Sequence, residues 1–303
     1  MKIMVTGIGG IGGYMASFLC AYYDNVTLIA RRKRKESLIE KGLILHSDFF
    51  GEHVAHPAVT DDPSSCGIQD VIFVCVKNYS LPAALQAVIP CIDDHTMVVC
   101  MQNGVDHSEV ARSILPKGKI MDSTIYINTE AQDDFSIRQS GAFARMYISG
   151  SEGEYSKTLH DLLDHPGLKV RYADDIRVEV WNKFITNCAI NVITAYYEDT
   201  FAGVFARPQG KEEFHTLLHE AYTIGKAQGV NLADDLVDTI YHRVIGQKNQ
   251  NVTSSLAHDV MACRPNELET FSGYLVKTAA KLGIDIPLSK KFYEALKERT
   301  SSK

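Results

Sequence analysis

Three polar side chains in the second half of the chain have a spacing that is typical of a ligand site. Lys183, Asn187 and Asn191 are four residues apart, so in a helix they line one face in a row. Asparagine is a mediocre helix former because its amide competes for backbone hydrogen bonds, so two asparagines within one helix need another reason to be there. Hydrogen bonding to a small ligand is one such reason. A polar surface stripe or a set of interdomain hydrogen bonds is the alternative that the spacing leaves open.

A second pattern with chemical meaning lies near the N-terminus. The glycines at positions 7, 9 and 12 follow a short apolar run and precede a helical pattern. In that context the first glycine permits a tight turn, the second lets the backbone approach a pyrophosphate, and the third lets the helix pack on the strand. The helix N-terminus then offers amide donors to phosphates. We therefore expect a dinucleotide to bind at Gly7, Ile8, Gly9, Gly10, Ile11 and Gly12.

The end of the second predicted strand indicates which nicotinamide cofactor binds. NAD enzymes usually have an acidic residue there, about 20 residues after the glycines, to hold the ribose 2′-hydroxyl. This chain has Ala30, Arg31 and Arg32 at that point, so the carboxylate is missing and guanidinium groups could hold a 2′-phosphate. The sequence predicts NADP(H), bound by Arg31. We interpret residues 33–35 as the solvated basic start of the next helix.

Two kinds of domain must position these residues. Residues 1–173 alternate apolar, β-branched runs with helical stretches, which predicts an α/β domain of the Rossmann type with a doubly wound parallel sheet. Its strands are predicted at 3–6, 26–30, 71–76, 97–101 and 119–121, with further strands at 141–150 and 168–172. Residues 174–303 show helical patterns at 181–196, 212–228, 234–245 and 267–282. We therefore predict an NADP-binding domain, an all-helical substrate domain, and a ligand cleft between them.

Composition excludes several other classes of protein. The 303 residues suit two domains, and the net charge of −6 provides no basic surface for nucleic acid. No apolar stretch approaches the ~18 residues of a membrane span, so we expect a cytoplasmic protein. The 7 cysteines are scattered and form no Cys-x-x-Cys pair, as in reduced thiols. His215 and His219 have a zinc-ligand spacing, but no third ligand is evident and we expect no metal.

Taken in order, these motifs resemble those of the ketopantoate reductase family, and the resemblance spans essentially the whole chain. The matching stretches are Gly7 to Gly12, the Arg31 region, Val76-Lys77, Gln102-Asn103-Gly104, Trp181-x-Lys183 with Asn187 and Asn191, and Ser254-Ser255-Leu256 followed by Asn266-Glu267. The resemblance implies NADPH-dependent reduction of 2-dehydropantoate (ketopantoate) to pantoate, a step toward pantothenate and coenzyme A. It also implies a C-terminal domain like that of 6-phosphogluconate dehydrogenase.

The resemblance further implies a role for each matching residue. Lys183 matches the family's general acid, and Glu267, which we expect to open the helix at 267–282, matches the residue that orients it. A lysine ammonium can stabilise the charge that develops on a ketone oxygen and then donate a proton to it. The remaining matches contact the substrate or lie beside the nicotinamide: Asn187, Asn191, Ser255 on the substrate carboxylate, Lys77 and Asn103. The expected partners are a 2-oxo acid and, because helical domains often pair, a second copy of the chain.

One departure from the family leaves the substrate open. Family members commonly have a further asparagine after the long helix, which contacts the substrate hydroxyl, whereas this chain has Phe201 within the stretch from Glu198 to Gly203. Three hypotheses follow: a ketopantoate reductase, a paralogue that reduces another 2-oxo acid, and a non-catalytic NADP-binding sensor. Phe201 favours the second. The third is disfavoured because a sensor needs no proton donor, whereas this chain has all of Lys183, Asn187, Asn191, Ser255 and Glu267.

Overall fold

The structure is a computed structural model that describes residues 1–301. The chain divides into two compact units, Met1–Ile176 and Arg177–Lys303. No helix within residues 1–301 combines the length and the apolar character that a membrane crossing requires.

The first unit contains all of the strands among the described residues. In chain order its elements are β1 (Ile3–Thr6), α1 (Gly10–Cys20), β2 (Val26–Ile29), α2 (Arg32–Lys41), β3 (Leu43–Ser47), β4 (Gly51–Ala55), β5 (Ala58–Thr60), β6 (Val71–Val74), α3 (Leu81–Val88), β7 (Met97–Cys100), α4 (His107–Ile114), β8 (Lys119–Met121), β9 (Ser123–Ala131), β10 (Ile137–Ser149), α5 (Glu154–Leu163) and β11 (Lys169–Ala173).

Six of these strands form one parallel sheet in the order β5-β2-β1-β6-β7-β8. Every residue of β1, β6 and β7 is buried, because helices cover both faces of the sheet. The strand order reverses between β1 and β6, and open α/β sheets bind ligands at the carboxyl ends of the strands at such a point. The predicted α/β fold is thus confirmed.

A second, mixed sheet completes the first unit. Its order is β11-β10-β3-β4, with β9 paired antiparallel to β10, and α1 contacts strands of both sheets. The predicted strands at 141–150 and 168–172 lie in this sheet as parts of β10 and β11, and not in the parallel one. Residues along β10 alternate between buried and exposed over much of its length, as expected for a sheet with one solvated face.

The second unit is helical. Its elements are α6 (Ile176–Tyr197), α7 (Phe201–Phe205), α8 (Gly210–Ala227), α9 (Leu236–Ile245), α10 (Ser255–Met261), a π-helix (Glu269–Gly273), α11 (Tyr274–Leu282) and α12 (Pro287–Ser301). The apolar face of α6, with Trp181, Phe184 and Cys188 among its residues, is buried. The predicted helix at 267–282 was wrong at its start, because Glu267 precedes the π-helix, after which the α-helix begins only at Tyr274.

A buried carboxylate fixes the start of α12. Glu220 of α8 is 7% exposed, and its two carboxylate oxygens accept hydrogen bonds from the backbone amides of Leu288 (2.9 Å) and Ser289 (2.7 Å). The first amides of a helix have no partner within the helix, so Glu220 caps α12 from a neighbouring helix.

We expect Glu220→Ala to lower the free energy of unfolding by roughly 2–4 kcal/mol, because it leaves the buried amide of Ser289 and the partly buried amide of Leu288 without an acceptor. Urea denaturation followed by circular dichroism measures the change. Glu294→Ala, which removes an exposed glutamate from α12, is the matched control and should change the free energy of unfolding by less than about 0.5 kcal/mol. Equal effects of the two substitutions would contradict the capping role.

Candidate active site

The turn after β1 requires glycine at two of its positions. Gly7 has a φ of +86°, and a Cβ added to it would lie 2.5 Å from the Val76 backbone nitrogen. A Cβ on Gly12 would lie 2.0 Å from the Gly7 carbonyl oxygen and 2.8 Å from the Cβ of Cys75. These are distances that real Cβ atoms do not reach, so strand, turn and helix pack this closely only with glycine.

The same turn fits a dinucleotide. A Cβ added to Gly9 would meet no atom within 4 Å, so the backbone is open to a ligand on that side. Gly9 precedes the first turn of α1, which has no capping side chain and no acidic residue. The first amides of α1 therefore have no partner within the helix and can donate to a pyrophosphate. Gly10, Ile11 and Gly12 belong to this turn, and Ile8 lies between the first two glycines with its side chain buried.

Arg31 lies two residues after β2, next to the carboxyl end of β1. It is the N-cap residue of α2, its side chain is exposed, and it makes no capping hydrogen bond. Arg32 follows with a φ of +53°, in the left-handed region that costs energy for residues other than glycine. In contrast, Lys35 makes a 2.8 Å ion pair with Asp61. The start of α2 thus places several cations at the positive end of a helix that has no acid in its first turn.

Lys77 and Asn103 lie in the two loops that follow β6 and β7. The side chain of Gln102 ties these loops together, because its Nε2 donates to the carbonyl oxygens of Val74 (2.8 Å) and Val76 (3.0 Å). Asn78 also links the two loops, because its Nδ2 donates a 2.6 Å hydrogen bond to the Asn103 carbonyl oxygen.

Sequence reasoning missed the supporting roles of Gln102 and Asn78. The sequence places Gln102 within a family motif but predicts no role for its side chain, and it predicts no role for Asn78. The signal that could have identified them is their position directly after buried parallel strands, where loop side chains gather at one edge of the sheet.

The second unit places Lys183 beside a carboxylate. Lys183 lies in α6 with its side chain partly exposed, and Glu267 is 5% exposed. Burial lowers the pKa of the Lys183 ammonium from 10.5 to about 8, and the negative charge of Glu267 opposes that shift. A lysine with this pKa is mostly protonated at neutral pH, yet it releases its proton more easily than an exposed lysine.

Hydrogen bonds from the residues that follow Glu267 fix its backbone. The Glu267 carbonyl oxygen accepts hydrogen bonds from the amides of Thr270 (3.0 Å) and Phe271 (3.2 Å), so the residue stands at the entrance to the π-helix. Short π-helices are rare and frequently occur at functional sites.

The remaining predicted residues of this unit lie on α6 and at the start of α10. Asn187 and Asn191 follow Lys183 at intervals of one helical turn, and Ser255 is the exposed first residue of α10. The Ser255 hydroxyl donates to Asn191 Oδ1 over 3.3 Å. Phe201 lies in the stretch where family members commonly have a further asparagine. Its side chain is 7% exposed and stacks on Phe205, with the two ring centroids 6.4 Å apart.

The structure therefore gathers the predicted residues into two clusters, one in each unit. The roles that the sequence predicts for these residues stay predictions. The first cluster contains Gly7, Ile8, Gly9, Gly10, Ile11, Gly12, Arg31, Lys77 and Asn103. The second contains Lys183, Asn187, Asn191, Ser255 and Glu267. Outside both clusters, His215 is 3.2 Å from Asp238, and no group of metal-ligating side chains is assembled within residues 1–301.

Both halves of the chain match family models. Residues 3–153 match the model described as Ketopantoate reductase PanE/ApbA, and residues 175–300 match the model of its C-terminal part. The 2-dehydropantoate 2-reductase of Mesorhizobium japonicum is 29% identical over 307 aligned residues, which cover 93% of this chain and 91% of that protein.

Solved structures share the fold over the full length of the chain. A PanE/ApbA family ketopantoate reductase from Ralstonia eutropha has a TM-score of 0.91 at 24% identity and covers 100% of this chain and 99% of its own. A D-mandelate dehydrogenase, solved with NADH and anilino(oxo)acetate, has a TM-score of 0.89 at 18% identity with the same coverage. At these identities the likeness shows the fold alone.

Proposed function

The chain belongs to the ketopantoate reductase family of oxidoreductases, and from this premise we propose that it reduces 2-dehydropantoate to pantoate with NADPH. The observation that carries the proposal is the Lys183 ammonium beside the buried Glu267, with a pKa lowered to about 8. A role in pantothenate synthesis, a cytoplasmic location and assembly as a homodimer belong to the same proposal.

The proposed reaction needs a proton donor on the ketone oxygen. When bound, NADPH supplies the hydride that the ketone carbon accepts. Negative charge then develops on the oxygen, and the Lys183 ammonium stabilises this charge and donates one proton to give the alcohol. Lys183 becomes a neutral amine and regains its proton from solvent. Glu267 keeps the amine charged between turnovers, because its negative charge raises the lysine pKa.

The proposed substrate contacts follow from the chemistry of the polar groups around Lys183. The amide of Asn187, one turn along α6, is suited to the substrate's oxygen atoms. The Ser255 hydroxyl is suited to donating a hydrogen bond to the substrate carboxylate. We assign Asn103 of the first unit to contacts with the substrate and the nicotinamide.

The proposed preference for NADPH rests on the start of α2. Several cations at the positive end of a helix oppose the helix dipole; Asp61 pairs with Lys35, but the first turn of α2 contains no acidic residue or side-chain cap that would relieve the remaining repulsion. A dianionic 2′-phosphate would relieve it, whereas a ribose 2′-hydroxyl would not. Arg31 is exposed and can make charge-assisted hydrogen bonds to that phosphate, with Arg32 beside it.

We expect the rate of ketone reduction to fall as pH rises through about 8, because the protonated lysine is the active form and its pKa is lowered to about 8. In Glu267→Gln the carboxylate that raises this pKa is gone, so the decline should begin at lower pH. The measurement is kcat/KM for the ketone between pH 6 and pH 10, a range of ~4 units that brackets the titration of the amine. A profile that is flat across pH 8, or a shift to higher pH in Glu267→Gln, would exclude Lys183 as the acid.

A second candidate function is reduction of a 2-oxo acid with an apolar side chain. Phe201 favours it, because a phenyl ring offers no hydrogen bond to a substrate hydroxyl. A D-mandelate dehydrogenase, whose substrate carries an aromatic ring, has the same fold as this chain. That likeness shows the fold and does not identify the substrate. A panel of aliphatic, hydroxylated and aromatic 2-oxo acids, assayed with NADPH under identical conditions, separates the two candidates through the ratio of kcat/KM values.

A further inference from the structure

Asn191 joins two helices of the second unit through its side-chain amide. Its Nδ2 donates to the Asn187 carbonyl oxygen over 3.1 Å, and its Oδ1 accepts from the Leu256 amide (3.2 Å) and from the Ser255 hydroxyl (3.3 Å). The residue is 6% exposed. Both polar atoms of the amide are thus engaged by protein groups, an arrangement that suits a structural contact better than a ligand contact.

The hydrogen bond from Leu256 fixes the start of α10. The first amides of this helix have no partner within the helix. Ser254 accepts from the Ala257 amide over 3.2 Å, and Asn191 supplies the acceptor for the Leu256 amide from α6. The backbone position of Ser255, between these two anchored residues, therefore depends on Asn191.

We propose that Asn191 is a positioning residue that acts on the substrate through Ser255 and does not itself contact the substrate. The inference rests on the proposed function, in which Ser255 binds the substrate carboxylate. The Ser255 side chain is exposed, whereas Asn191 is buried behind it. Asn191 holds the serine in place from the protein side and leaves its other side open to a ligand.

The hydrogen bond from the Ser255 hydroxyl to Asn191 must be exchanged for one to the substrate when the substrate binds. In the structure the hydroxyl donates to Asn191 Oδ1. An ionised carboxylate only accepts hydrogen bonds, so the hydroxyl proton must turn from Asn191 to the substrate when the substrate binds. The Leu256 amide remains on Asn191 Oδ1, and the serine backbone keeps its position while the hydroxyl turns.

Thr194 provides a matched control. It lies one turn after Asn191 in α6, is fully buried, and its Oγ1 lies 2.7 Å from the Ser254 Oγ. Thr194→Val therefore removes a hydrogen bond between the same two helices without removing either partner of the Asn191–Ser255 contact. A purely structural role predicts the same phenotype for substitutions at Thr194 and Asn191.

The test is a double-mutant cycle on the 2-oxo acid that the wild-type enzyme turns over best. We expect Asn191→Ala and Ser255→Ala each to raise KM on the order of tenfold to a hundredfold, with a smaller change in kcat. The double variant should have the KM of Ser255→Ala alone, because Asn191 acts through the serine. Thr194→Val should lower Tm and leave KM unchanged. Additive effects of Asn191→Ala and Ser255→Ala would overturn the proposal, as would an equal rise of KM in Thr194→Val.

A substrate-free measurement separates this inference from the proposed function. Hydrogen exchange of the Leu256 amide should be faster in Asn191→Ala than in the wild type and unchanged in Ser255→Ala. Asn191→Asp, which keeps an acceptor for Leu256, is the second variant if Asn191→Ala does not fold, and it should retain slow exchange. Unchanged exchange in Asn191→Ala overturns the positioning role. An unchanged KM in Ser255→Ala with fast exchange in Asn191→Ala overturns only the role of Ser255 in the proposed function.

Discussion

Lys183→Ala should reduce kcat for ketone reduction by about 10²–10⁴-fold, the usual contribution of a positioned general acid. The substitution removes the ammonium whose pKa is lowered to about 8 and leaves Glu267, whose ionised carboxylate accepts hydrogen bonds but has no proton to donate. Cofactor affinity should change little, because the predicted NADPH contacts lie in the first unit. Single-turnover kinetics at saturating NADPH and 2-oxo acid measure the loss at the chemical step.

Two controls separate lost chemistry from lost structure in Lys183→Ala. Lys281→Ala removes an exposed lysine of α11 and should keep the wild-type rate. The Tm of Lys183→Ala should stay close to that of the wild type, because removing a partly desolvated charge offsets the loss of its attraction to the buried Glu267. A variant that remains folded and retains the wild-type rate would show that another group donates the proton.

Arg31→Ser should raise the Kd for NADPH by about 10–100-fold and leave the Kd for NADH almost unchanged. The reason is that charge-assisted hydrogen bonds to a 2′-phosphate exist only with NADPH, whereas the glycine turn and the amides of α1 serve both cofactors. Quenching of protein fluorescence, or calorimetric titration, gives both constants without turnover.

Lys33→Ala is the matched control for Arg31→Ser, since it removes an exposed cation from the first turn of the same helix. Its effect on the Kd for NADPH should be a few-fold at most, the loss of one screened surface charge. If the wild-type protein binds NADH as tightly as NADPH, the preference inferred from the missing acidic residue after β2 is wrong.

The sequence predicted the features that depend on short-range patterns. The glycines at 7, 9 and 12 require a strand, a turn and a helix within a few residues, and β1 and α1 have that arrangement. The apolar face of α6 follows from the 3.6-residue period of a helix, and its row of polar residues follows from the same period. The family membership that these motifs indicated was confirmed by matches over both halves of the chain.

The second sheet could not be predicted in the same way. Residue Ile137 of β10 pairs with Leu45 of β3, so the sheet depends on contacts between distant parts of the chain. β4 is mostly exposed and polar, and such edge strands lack the apolar alternation that identifies a strand in a sequence. The π-helix after Glu267 likewise depends on packing, because helical periodicity does not separate a π-turn from an α-turn.

Contacts with residues distant in sequence also limit what could be predicted of the candidate site. Spacing placed Lys183, Asn187 and Asn191 on one face of a helix and therefore suggested a ligand site, with no distinction between their environments. The structure separates their environments: Glu267 acts on the pKa of Lys183, whereas Asn191 holds the start of α10, whose residue Ser255 lies 64 positions further along the chain. These partners are distant in sequence, so a pattern within one helix could not distinguish a proton donor from a positioning residue.

The central claim is that this chain reduces a 2-oxo acid with NADPH. Its most direct test is the initial rate of NADPH oxidation by the wild-type protein with ketopantoate, compared with NADH under the same conditions. We predict ketopantoate-dependent oxidation with a kcat/KM for NADPH that exceeds the value for NADH by at least about tenfold. If the folded protein binds NADPH but oxidises it with neither ketopantoate nor any other 2-oxo acid of the panel, the chain is not the reductase proposed above.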